Sequence, residues 1–127
     1  MKKINLEKSV VELTDDGIMN IHIKEDQDIE LNDAVLIVDA MGKLGEQKKY
    51  PVLIDAGEFS SVDKEARIFS ASIESNIYTL ADAIAYCNLA QQLMAQFYLK
   101  YNKPSIPTKV FADKEEAIVW LKSFKEK

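Results

Sequence analysis

Histidine and cysteine each occur once among the 127 residues, and that scarcity removes most metal and nucleophile chemistry at the outset. Structural metal sites need several nitrogen and sulfur ligands together, and most hydrolase constellations need an imidazole beside a nucleophile. His22 has no Cys or second His near it in sequence. Cys87 has no second cysteine with which to form an intrachain disulfide, which agrees with a reducing compartment. It is expected to behave as a small buried hydrophobe rather than as a nucleophile. Only four glycines are present, and no glycine-rich phosphate loop of either familiar spacing occurs, so nucleotide binding by a standard motif is not expected. A formal charge of −5, with Lys and Arg scattered among Asp and Glu, leaves no basic stripe to follow a nucleic acid. Apolar runs such as Ala34-Val-Leu-Ile-Val38 fall far short of the roughly 20 residues that cross a bilayer. Behind Lys2 and Lys3 there is no apolar stretch of the kind that marks a signal peptide, so a cytoplasmic location is expected. No cofactor is expected.

The chain has an ordinary globular composition, 47% apolar and 29% charged, at a length that suits a single domain over residues 1–127. Residues 10–13 and 18–24 flank Thr14-Asp-Asp-Gly17, a hairpin signal, and the alternation of Met19, Ile21 and Ile23 with Asn20, His22 and Lys24 turns His22 to solvent or a rim. Asn32 or Asp33 is placed to cap a helix carrying Ala34, Val35, Val38, Met41 and Gly42, with Gly45 as its stop. Residues 50–55 form the clearest strand, apolar enough to be covered on both faces. A helix beginning at Ser60 or Ser61 comes next, with Val62, Ala66, Phe69 and Ile73 on one side.

Residues 83–87 read as a strand, although they also fit one long helix running on to Tyr101. Asn88 then caps a helix whose stripe is Leu89, Leu93, Met94, Phe97 and Tyr101, with Gln92, Gln96 and Lys100 facing away. Pro104 and Pro107 stiffen the connection to a last strand, residues 108–111. Asp113 and Glu116 make a capping-box pattern for a final helix in which Trp120 is a core anchor. The order is β-β-α-β-α-β-α-β-α, an α/β fold with a mixed, mostly parallel five-stranded sheet covered by helices.

The C-terminal half carries a resemblance, in Phe97-Tyr-Leu-Lys-Tyr-Asn-Lys-Pro104, Val110-Phe111 and Glu115-Glu-Ala117-Ile-Val-Trp120-Leu121. Together with the element order it resembles the SpoIIAA-like fold group, which holds the STAS domains and the CRAL-TRIO (Sec14) lipid carriers, and within it small bacterial proteins without assigned activity. The resemblance implies a noncatalytic protein-interaction or regulatory module. Regulatory STAS proteins carry an Asp-Ser-Ser-Gly turn whose serine is phosphorylated. Here Asp63 falls at the Asp of that turn and Lys64 at the phosphorylated serine, so the switch residue is missing. Ser60 and Ser61 lie one turn earlier, where capping is their expected role.

The candidate interaction surface is therefore Asp55, Glu58, Ser60, Ser61, Asp63, Lys64 and Asn88, with Asp55 and Asn88 converging where two strands end. Asp55, Glu58, Asp63 and Asp82 are the candidate acid–base groups, but acids without an electrophile, base or metal partner define no reaction, and an enzyme is not expected. The alternative implied by the Sec14 side is a carrier of a small apolar ligand or lipid, with Phe69, Met94, Phe97 and Tyr98 lining the pocket. The shortness of the chain argues against a large cavity and favours the interaction module. Self-association as a homodimer through Tyr78, Tyr86, Tyr98 and Tyr101 is a further expectation.

Overall fold

The computed structural model describes residues 2–124. Among them the chain runs through β1 (Lys2–Asn5), β2 (Ser9–Leu13), β3 (Met19–Ile23), β4 (Asp28–Ile29), α1 (Leu31–Leu44), β5 (Tyr50–Ala56), β6 (Ser61–Val62), α2 (Lys64–Ala71), β7 (Thr79–Ala85), α3 (Leu89–Phe97), β8 (Thr108–Phe111) and α4 (Lys114–Lys122). The main sheet has the order β1-β2-β3-β5-β7-β8. Its first three strands are antiparallel, as short local turns permit, and β3, β5, β7 and β8 are parallel, each step bridged by a helix. The mixed, mostly parallel α/β sheet is as expected.

Period-two alternation decides which helix each strand residue meets. On one face Val11, Met19, Ile21 and Val52 pack against Ile37, Ala40, Met41 and Leu44 of α1. On the other, Leu53, Ala81, Ala83 and Ala85 pack against Ala117 and Leu121 of α4, with Trp120 in tilted contact with Phe111 and edge-on contact with Phe124. The alanines of β7 let α4 sit close. No helix among the described residues is long and apolar enough to cross a membrane.

Several expectations need correction. The main sheet has six strands among the described residues, not five: Lys2–Asn5 adds an antiparallel edge beside β2, and only its pairing makes so polar a segment a strand. A second, two-stranded sheet forms where β4 and β6 pair. That pairing draws Ser61 and Val62 into extended geometry, so α2 starts at Lys64, and its cap is Asp63, whose carboxylate accepts the Ala66 N–H at 2.9 Å. Ser60 and Ser61 cap nothing. Glu30, rather than Asn32 or Asp33, is the N-cap of α1, with Asp33 reaching back to the Glu30 N–H. The strand expected at residues 83–87 lies at Thr79–Ala85, which leaves Cys87 exposed beyond its end rather than buried.

Two helical stripes have the expected period but not the expected cover. Helix α2 ends at Ala71, where the Ser72 hydroxyl and N–H both return to the Phe69 carbonyl, so Ile73 lies beyond it and is exposed. In α3, Leu89, Leu93, Met94 and Phe97 are exposed and only Ala95 is buried. The tyrosines do not form one surface either: Tyr78 packs on the α1 core cluster, its ring 2.7 Å from where a Cβ on Gly42 would stand, while Tyr101 is exposed.

Candidate functional site

Helix α3 does not close down on the sheet, and the gap beneath it is a cavity of about 210 Å³. Its floor is the α1 face of the central strands, Ile21 and Ile23 from β3, Val52 and Ile54 from β5, Asp82 and Ile84 from β7. Its walls come from α1, α2 and α3, with Met41, Arg67, Met94, Ala95 and Tyr98. Asp82 stands among these apolar floor residues, while Asp55, also at the lining, has its carboxylate on His22 and Lys114.

Strand parity puts Asp82 there. Ala81, Ala83 and Ala85 turn toward α4, so Asp82 and Ile84 must turn the other way, and the Asp82 N–H is spent on the Pro107 carbonyl at 2.9 Å. Asp82 is 7% exposed, and no donor from the described residues reaches its carboxyl group. Burial pushes its pKa up to about 7. Burial raises the Tyr98 phenol as well, with the charge of Asp82 adding to it. No hydrogen bond within the described residues engages the Tyr98 hydroxyl.

Arg67 is the second anomaly. Its Nη1 donates to the Val62 carbonyl at 2.6 Å and its guanidinium lies 5.6 Å from the Phe97 ring centroid, yet its Nε is buried without an acceptor. The open rim holds Ser60 and Ser61: Ser60 Oγ donates to the Lys24 carbonyl at 2.5 Å, and Ser61 Oγ bonds Asp28. Gln91 ties the strand ends together, with Nε2 donating to the Ala56 carbonyl at 3.0 Å and Oε1 accepting the Cys87 N–H at 2.9 Å.

The family model described as a domain of unknown function, DUF7793, matches residues 11–125. The chain belongs to the DUF7793 family. No curated protein matches it. Among solved structures, an uncharacterized DUF3478-family protein from Shewanella loihica PV-4 with a SpoIIAA-like fold is 17% identical, with 89% of this chain and 91% of that chain covered and a TM-score of 0.55. That likeness shows the DUF7793 chain to have a SpoIIAA-like fold and nothing more. A protein with unknown function from Arthrobacter sp. FB24, 18% identical over 88% of this chain and 97% of that one, has a TM-score of 0.32, too low to carry an argument.

The residues singled out in the sequence scatter over the DUF7793 structure. Asp55 faces away from the α1 side and bonds His22 Nδ1 at 2.8 Å and Lys114 Nζ, in a shallow hollow beside α4. Asn88 caps α3 by accepting the Gln91 N–H at 2.9 Å, so the two strand ends meet while their polar side chains serve different faces. Glu58, Asp63 and Lys64 are exposed. Met94 and Tyr98 line the cavity as expected, whereas Phe69 packs with Ile23, Ile29, Ala34 and Ala66, and Phe97 is exposed. No group of three or more potential metal-ligating side chains occurs among the described residues. In the sequence Asp82 stands out only as one loose acid, and Arg67 does not stand out. The available signal is an acid inside the small-residue alternation Ala81-Asp82-Ala83-Ile84-Ala85.

Proposed function

We propose that this DUF7793 protein is a noncatalytic binding module, one domain acting in the cytoplasm, whose ligand is a small apolar organic molecule held in the cavity under α3. The observation that carries this reading is the Asp82 carboxyl group at an apolar cavity floor with no protein donor among the described residues. An unpaired buried acid costs free energy, and groups of this kind are retained where function uses them. Volume supports a small ligand. A dry cavity of about 150 Å³ takes up benzene, so about 210 Å³ suits one ring with a short side chain. Pockets for larger molecules run to roughly 300–1,000 Å³, so the carrier reading holds in reduced form, without a lipid tail.

Titration with phenethyl alcohol, followed by backbone amide NMR, tests it. Saturable shifts at Ile54, Ile84 and Ala95, with none at Ala83 and Leu121 on the α4 side, are the expected result. No saturable shift, or one centred on the α4 side, refutes it.

A STAS-like interaction module is the second reading, supported by exposed apolar side chains on α2, α3 and the loop before β6. Phe59 is 82% exposed on a left-handed backbone, and Ile68 of α2 and Leu93 and Phe97 of α3 are exposed apolar side chains as well. The simplest partner for such a module is a second copy of the chain. Sedimentation equilibrium of the parent and of Phe59→Ser decides it: a dimer that the substitution weakens supports the reading, and a monomer at all concentrations removes it. Lys64 at the position of the switch serine argues against phosphorylation as its control.

A further inference from the structure

We propose that the molecule recognised by the cavity carries a basic nitrogen, whose N–H groups are received by the Asp82 carboxylate. This rests on the reading of the cavity as a ligand site and adds the chemical class of the ligand.

Elimination within the cavity leads there. Every backbone and side-chain acceptor in a folded interior needs a donor, and Asp82 is nearly buried with none from the described residues. The surrounding floor, Val52, Ile54 and Ile84, can supply no donor. Asn76, also in the lining, has committed its Nδ2 to the Ser70 and Ser72 carbonyls at 3.0 and 2.8 Å and to Ser105 Oγ at 3.2 Å. A ligand entering the cavity can supply the donor that the described residues do not bring to Asp82.

Three ligand chemistries meet this acid differently. A hydrophobic carboxylate places like charge against Asp82 and is repelled. A neutral alcohol supplies one ordinary hydrogen bond. A protonated amine supplies a charge-assisted one and neutralises a buried charge, which is the strongest pairing open to a carboxylate in apolar surroundings. Arg67 Nε, also in the lining, is buried without an acceptor, so a carbonyl or ether oxygen elsewhere on the ligand adds to the fit.

The probes are phenethylamine, phenethyl alcohol and phenylpropionate, matched in ring and similar in length, titrated calorimetrically into the intact parent protein and into Asp82→Asn. The expected result is amine binding roughly tenfold tighter than alcohol in the parent, and amine and alcohol alike in Asp82→Asn, where the charge-assisted bond has become an ordinary one. Alcohol binding by Asp82→Asn shows that its cavity is formed. Equal affinity for amine and alcohol in the parent, or an amine preference that survives Asp82→Asn, overturns the basic-nitrogen inference and leaves the cavity reading standing. Tightest binding of phenylpropionate overturns it in favour of an acid held at Arg67. Failure of all three probes overturns both readings.

Discussion

Replacing Asp82 by Asn should make the protein more stable, and by an amount that depends on pH. The cause is desolvation: the folded state holds the Asp82 proton up to about pH 7, against 3.8 for an unperturbed side chain. The native protein therefore binds this proton more tightly than the unfolded chain does. Because the unfolded state ionises first, the contribution of Asp82 to stability is highest below pH 3.8, falls as pH rises toward 7, and levels off above it. A difference of about 3 pK units corresponds to about 4 kcal/mol lost at the alkaline plateau, and the part lost between about pH 5 and about pH 8 is roughly 2–3 kcal/mol. Asn has a similar shape and no such titration. Urea unfolding of parent and Asp82→Asn across that window measures the effect as a difference between two curves, in which every other titrating group cancels. The gap should widen in favour of Asn by roughly 2–3 kcal/mol from about pH 5 to about pH 8. A gap that stays constant, or that favours Asp at high pH, would show that Asp82 is hydrated or paired, and the reasoning about the cavity would fail with it. A residue that weakens its own fold at neutral pH is the pattern expected where binding has been kept at the expense of stability.

The remaining predictions concern the frame around the cavity. Leu121→Ala removes a fully buried side chain from the α4 face and should cost about 2–5 kcal/mol in chemical denaturation; a loss below about 1 kcal/mol would mean that α4 is not seated on β7 as described. Gly57→Ala places a Cβ 2.6 Å from the Glu25 backbone nitrogen, so the loop after β5 must shift, with a stability loss of roughly 1–3 kcal/mol by thermal or urea unfolding. An unchanged midpoint would contradict that close approach. Asp63→Ala removes the α2 cap and should cost about 1 kcal/mol, while Ser61→Ala should cost the helix nothing; a reversed ranking in the same assay would restore serine as the cap.

Local chemistry makes much of the fold legible. Asp16-Gly17 marks the first hairpin, with Gly17 at φ 80°, and Asn88 and Asp113 are recognisable caps because the N–H groups they bind lie two or three residues on. The edge strand β1 is not legible, since Lys2, Lys3 and Asn5 carry no strand signal and only pairing with β2 orders them. The cavity is hidden for a related reason. A strand placed at residues 83–87 rather than Thr79–Ala85 leaves Asp82 outside it, where parity cannot assign the acid a face. The stripe on α3 has the right period, but periodicity reports that one side of a helix is apolar and not whether a neighbour covers it. Of that stripe only Met94 lines the cavity, and Leu89, Leu93, Phe97 and Tyr101 stay exposed.

A crystal structure of the protein soaked with phenethylamine tests the central claim most directly. The account predicts the ring between Ile54, Ile84 and Met94, with the nitrogen within hydrogen-bonding distance of the Asp82 carboxylate. A cavity collapsed around its own side chains, or a probe found only on the outer surface while Asp82 takes its donor from the protein, would contradict it.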